Sequence, residues 1–200
     1  MAFTELVAPA RCVTCRRRGA ALCDTCGRDL RGPLGLPSIT HVDRLFVPWF
    51  YEGAARDLVL GLKIRSLAFA AEAMAEAIWH RVVADGTRCR TITWVPARRA
   101  DIRKRGFDHA RLIAEALADR LGLAAAGLLH RIGTQSDQAA LSRAERARNL
   151  RGAFTAERVG GPILLVDDLI TTGATLAACA TALRTAGAAR IEGAAACMAE

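Results

Sequence analysis

Aromatic side chains are scarce in this sequence. Only 5% of its 200 residues are Phe, Trp or Tyr, although 52% are hydrophobic. A core of that composition has to be built mostly from Ala, Leu, Val and Ile. No aromatic residue interleaves with the arginines between residues 11 and 31, which argues against a single-strand binding site based on base stacking there. Long apolar runs are missing too. The richest stretch, residues 67–78, carries Glu72 and Glu76, which excludes a bilayer span. The first nine residues lack the basic start and apolar stretch of a secretion signal, so a soluble, cytoplasmic protein is expected. Acidic residues are outnumbered: 20 Asp and Glu stand against 28 Lys and Arg, a net charge of +8. Residues 98–151 hold twelve basic and six acidic side chains, and residues 11–31 hold six Arg and two Asp. Pyrophosphate could meet the first region and nucleic acid the second, although an ordinary Arg-rich surface explains the second equally well.

The length suits one α/β domain with a small appendage. Four of the seven cysteines fall in Cys12-Val-Thr-Cys15 and Cys23-Asp-Thr-Cys26. Paired C-x2-C turns are half-sites of a tetrahedral four-cysteine zinc centre. A reducing compartment disfavours disulfides, and residues 1–35 carry too little apolar surface to fold without a staple. Structural Zn2+ on Cys12, Cys15, Cys23 and Cys26 is therefore expected, with no open position for catalysis. Residues 32–38, dense in Gly and Pro, mark the linker. The expected division is a zinc knuckle over 1–35 and the main domain over 36–200. Cys89, Cys179 and Cys197 read as small core hydrophobes.

The most informative stretch is residues 163–175. Ile163-Leu-Leu-Val166 is too short for a helix and suits a buried strand. Asp167 and Asp168 follow, then Thr171-Thr172-Gly173-Ala174-Thr175, then Leu176, Cys179, Ala180 and Leu183 at helical spacing. The loop can turn backbone N–H groups toward a phosphate, helped by the positive helix start. Gly173 permits close approach. Two carboxylates at a strand end suit vicinal sugar hydroxyls or a magnesium ion. The composite is a site for a sugar phosphate.

Elsewhere, residues 41–51 read as one or two short strands, and Gly53 opens a helix ending near Lys63. Residues 67–84 form a second helix. Residues 91–95 read as a central strand, followed by Pro96-Ala97-Arg98 and a basic, Gly-containing loop with Arg103 and Arg105. A helix from Phe107 comes next. Guanidinium groups match phosphate oxygens in pairs, so this loop is a second phosphate candidate. Residues 128–132 read as a short strand and 190–197 as a closing one.

Residues 163–175 resemble the phosphoribosyl-pyrophosphate (PRPP) signature of type I phosphoribosyltransferases. Val95-Pro96, Arg103-Lys-Arg-Gly-Phe107, Tyr51-Glu-Gly53, Leu141-Ser-Arg-Ala-Glu-Arg146 and Arg151-Gly-Ala-Phe154, together with the four-cysteine knuckle, resemble the ComF (competence protein F-like) family within that group. Three features depart from its pattern, one being Ser136-Asp137 before Gln138 in place of prolines. Asp108-His109 replaces the usual Asn-Gln, and Ala97-Arg98-Arg99 replaces a Val then His-Pro. His109 reads on balance as a solvent-facing helix position.

The resemblance implies an α/β fold in which a parallel sheet of about five strands is flanked by helices. It implies PRPP bound with Mg2+: ribose on Asp167 and Asp168 as the catalytic pair, 5′-phosphate on Thr171, Thr172, Gly173, Ala174 and Thr175. Pyrophosphate would lie on Ala97, Arg98, Arg103, Arg105, Lys63, Arg143 and Arg146, the last two on a mobile loop covering it. The implied activity is phosphoribosyl transfer to an unknown acceptor, in DNA uptake and competence. The alternative is a non-catalytic PRPP- or nucleotide-sensing module that binds single-stranded DNA or a helicase-like partner.

Overall fold

The structure is a computed structural model describing residues 11–65, 68–132 and 152–199. Its main sheet contains β1 (Arg44–Phe46), β2 (Trp49–Phe50), β3 (Thr91–Trp94), β4 (Ala124–Ala125), β7 (Gly161–Ile170) and β8 (Ala188–Met198). The order is β1-β8-β7-β3-β4, with β2 also on β8, and every pairing is parallel. β1 and β2 act as one interrupted edge strand. Pro48 lies between them, and proline has no N–H to give the ladder.

Helices cover both faces. α2 (Gly53–Arg65), α3 (Phe69–Asp85) and α5 (His109–Leu121) pack on one side with Leu164, Val166, Ala194 and Ala196. On the other side α6 (Ala174–Thr185) packs with Ile163, Leu165, Ile191 and Ala195. Successive residues of a strand alternate between faces. Both faces of β7 are buried, so its sequence is a continuous apolar run. The short α1 (Asp24–Gly27) belongs to the knuckle. Among the described residues, no helix is long and apolar enough to cross a membrane.

Two sequence expectations change in detail. The basic stretch after β3 is not a loop: α4 (Arg99–Arg105) occupies it, starting after an extended Arg98 and ending at Gly106 with φ 87°. Asp101 in its first turn and Arg103, Lys104 and Arg105 in its last complement the helix dipole. The strand expected at 128–132 is β5 (Leu129–Arg131), but it leaves the main sheet and pairs antiparallel with β6 (Phe154–Ala156). The closing strand expected at 190–197 is β8, which lies between β1 and β7, and its small residues let flanking side chains approach closely. β4 is an addition to the expected strands; its two alanines carry no strand pattern.

Gly193 on β8 illustrates that close approach. A Cβ there would lie 2.9 Å from Leu45 Cδ1, 3.0 Å from Leu176 Cδ2 and 3.2 Å from Val42 Cγ1. Gly193→Ala should therefore destabilise the fold by about 1–3 kcal/mol through overpacking. Urea denaturation measures this, and adding Leu45→Val should recover part of the loss.

Candidate functional site

β7 carries the acidic pair near its carboxyl end, and the strand's alternation separates the two side chains. Asp168 follows Leu164 and Val166 onto the face of α2 and α5, where it is 2% exposed. There Lys63 Nζ lies 2.7 Å from Oδ2, and His109 Nε2 lies 3.5 Å from the same oxygen. The lysine contact is an ion pair without hydrogen-bond alignment, so Oδ2 still lacks a conventional donor. Asp167 follows Ile163 and Leu165 toward α6. It is half-buried, and its Oδ1 accepts from Asp168 N at 2.9 Å. Burial and then the neighbouring Asp168 charge hold the Asp167 carboxyl well above the usual carboxylate range, against the pull of Lys63. The pair is thus two groups in different surroundings.

His109 is not solvent-facing: its side chain is 12% exposed. The cause is Asp108, which caps α5 by accepting from Ala110 N at 3.1 Å and Arg111 N at 3.4 Å. Its other oxygen accepts from Ala97 N at 2.9 Å, tying the helix start to the loop after β3. The first helical residue is thereby held against the end of β7. Burial pushes the His109 imidazole below its ordinary value, Asp168 opposes this, and Lys63 adds to it. Its Nδ1 is sealed from solvent without a partner.

The loops after β3 and β7 are neighbours because those strands are paired. From β3 the chain moves outward to β4, then returns to β7 on the other side, which makes this a topological switch point. After β7, Thr172 Oγ1 accepts from Ala174 N at 3.2 Å, and Gly173 begins α6 with φ 71°. A Cβ on Gly173 would lie 2.9 Å from Ile39 Cδ1 in the linker region. Among the described residues, no acceptor takes the N–H groups of Thr175 and Leu176 in the first helical turn. An anion fits those donors and the positive helix end.

The remaining basic residues are spread around this point. Ala97 lies in the loop after β3, and Arg98 is at the start of α4. Arg103 is exposed on α4, while Arg105 lies 4.0 Å from Asp101 Oδ1. Lys63, expected at pyrophosphate, is on Asp168. Arg143 and Arg146 fall outside the described residues. Arg131, only a strand residue by its sequence, reaches the loop after β3: its Nη2 donates to Pro96 O at 3.5 Å. The available signal was its place two residues after Leu129 on a short strand, which puts it on the same face as that buried residue.

The carboxylates do not form a ready-made cation site. Asp168 Oδ2 faces the Lys63 ammonium, and Asp167 Oδ1 is engaged by a backbone N–H.

In the knuckle, the Sγ atoms of Cys12, Cys15, Cys23 and Cys26 all lie within 4.8 Å of one another. Tetrahedral zinc with Zn–S of about 2.3 Å sets sulfurs about 3.8 Å apart, so the four donors fit. Burial raises the Cys12 thiol, but N–H groups of Cys23, Cys15 and Thr14 outweigh it and bring the value to about 6. Cys26 is pushed up to about 12, chiefly by Cys15. The thiols compete for charge that a divalent metal would neutralise.

No family model matches the sequence. The chain is 29% identical over 198 residues to DNA utilization protein YhgH of Salmonella typhi, covering 90% of this chain and 86% of that protein. It is 37% identical over 92 residues to DNA utilization protein YhgH of Salmonella typhimurium strain LT2, covering 44% of this chain and 40% of that protein. Among solved structures, it is similar to the glutamine PRPP amidotransferase of B. subtilis complexed with ADP and GMP. The TM-score is 0.43 and the identity 22%, over 64% of this chain and 27% of the amidotransferase. TT1426 of Thermus thermophilus gives a TM-score of 0.37 and 21% identity, over 64% of this chain and 72% of that one.

Two substitutions test the electrostatics. Lys63→Met leaves Asp168 charged and buried, so it should cost roughly 3–5 kcal/mol, and Lys63→Met/Asp168→Asn should recover most of that. Asp167→Asn should stabilise the protein at neutral pH. A raised folded-state value opposes folding once pH exceeds the unfolded value of 3.8, increasingly up to the folded one. The gain should therefore vanish below about pH 3.8, in denaturation curves followed across pH.

Proposed function

We propose that this chain is a PRPP-binding, phosphoribosyltransferase-like protein acting in DNA utilization. The observation that carries this reading is the pair of split carboxylates at the end of β7 beside the unclaimed N–H groups of α6. A ribose 5-phosphate matches both at once. Its 5′-phosphate takes the donors of residues 171–175, and its ring hydroxyls take Asp167 and Asp168. A carboxyl oxygen on either residue can accept from a ribose hydroxyl. Pyrophosphate then points to the loop at Ala97 and Arg98, with Arg103 and Arg105 adding positive potential. Lys63 holds Asp168 in place and lends its charge to the leaving group. Magnesium arrives on the oxygens of PRPP, since the protein's carboxylates are otherwise engaged.

On this reading the acceptor attacks C1 of the ribose and pyrophosphate leaves. The protein contributes position and electrostatics, and needs no nucleophile of its own. The acceptor is unassigned. Pyrophosphate release from PRPP, assayed against a panel of bases, should be detectable with wild type and fall at least about 100-fold in Asp168→Asn. PRPP binding with no turnover on any acceptor would favour a sensing module.

The knuckle favours a second role beside the first. Arg11, Arg16, Arg17, Arg18, Arg28 and Arg31 are all exposed, and none makes an ion pair among the described residues. With the printed name of the YhgH relatives, this supports contact with single-stranded DNA or a helicase-like partner at the zinc-bearing end. If all six arginines meet phosphates, log affinity against log salt should have a slope of about −4. A flat response, or no binding, removes this role. Purified protein should carry about one equivalent of zinc, and a chelator should unfold the knuckle.

A further inference from the structure

Among the described residues, Arg131 is a cation without a counter-ion: no carboxylate lies within ion-pair distance of it. Its guanidinium lies over the Phe154 ring, with Cζ 4.5 Å from the ring centroid. Phe154 is its cross-strand partner on β6, so the β5–β6 pairing fixes this stacking. Its side chain makes a long hydrogen bond from Nη2 to Pro96 O. Its Nε is sealed from solvent and has no partner. The charges acting on it include Arg98, Asp167 and Asp101, which border the site from the loop after β3, from β7 and from α4 in turn.

Burial pushes the Arg131 guanidinium below its usual value, and the more distant Asp167 and Asp101 charges offset this only in part. Such an arrangement costs stability unless an anion supplies the missing partner. The surroundings define that anion. Arg131 touches the 95–98 loop at Pro96, at the end of β3, which pairs with β7. A second basic residue, Arg98, adds its field at the same place. Stacking on Phe154 holds the planar donor fork in a fixed orientation, which favours two oxygens of one group over a point charge.

We infer that Arg131 is a further binding residue of this site, donating to phosphoryl oxygens of the diphosphate group of a PRPP-like ligand. This rests on the PRPP reading above. It makes the short antiparallel pair β5–β6 part of the site: Phe154 positions Arg131, and Arg131 completes the anion-binding side of the 95–98 loop.

The test is calorimetric titration of the full chain, with Mg2+, against PRPP, inorganic pyrophosphate and ribose 5-phosphate. Arg131→Met should bind PRPP and pyrophosphate at least about 10-fold more weakly and ribose 5-phosphate within about twofold of wild type. Its melting temperature should be unchanged or higher, because an uncompensated charge has been removed. Arg131→Lys keeps the charge and loses the fork. It should show a smaller loss confined to PRPP and pyrophosphate, and it serves where the methionine variant folds poorly. A methionine variant that keeps PRPP affinity within about twofold, or a lysine variant that loses ribose 5-phosphate equally, overturns the inference and leaves PRPP binding standing. A wild type that binds none of the three overturns the PRPP reading itself.

Discussion

The structure depends on the alternation of side chains along β7, a strand buried on both faces. Four apolar residues, Ile163 to Val166, fill two cores in turn, and the same alternation continues into Asp167 and Asp168. Adjacent in sequence, the two carboxylates are therefore delivered to opposite sides of the sheet. One meets Lys63 from α2 and His109 from α5. The other faces α6, within the electrostatic reach of Arg131. A one-residue slip in register would exchange these surroundings and put the apolar residues in the wrong cores. The packing that stabilises the sheet is thus also what differentiates the acids.

The four-cysteine segment is physically connected to this arrangement. Val13, inside the Cys12–Cys15 turn, and Ala21, just before the Cys23–Cys26 turn, belong to the same apolar cluster as Ala55, Leu58 and Leu62 of α2. Thr14 Oγ1 also donates to Asp57 Oδ2 on that helix at 2.9 Å. Helix α2 in turn carries Lys63. A disturbance of the four-cysteine segment would therefore reach the helix that anchors Asp168, as well as the basic surface around the cysteines. Ile39, just after the linker, makes a second contact, beneath Gly173. The N-terminal segment is thus packed against both halves of the site.

Much of this was legible from residue order. The run Ile163 to Val166, the acidic pair and the small-residue loop specify a strand, its end and a helix start, because each has a distinct local pattern. The C-x2-C pairs specify a sulfur cluster through their spacing alone. The contacts of His109 and Arg131 were less accessible, since both depend on how separate elements are brought together. His109 turns inward because Asp108 bonds to Ala97, eleven residues earlier. Arg131 becomes part of the site because β5 leaves the main sheet to pair with β6, across a separation that local propensity does not encode. Helix α4 was hidden by its basic residues, which read as a phosphate loop although they also suit a helix end.

The most direct test of this account is a crystal structure of the full chain with PRPP and Mg2+. The account predicts the 5′-phosphate on the N–H groups at 171–175, the ribose hydroxyls between Asp167 and Asp168, and the diphosphate against Ala97 and Arg98. A ligand seated elsewhere, or ribose hydroxyls that touch neither aspartate, would contradict it.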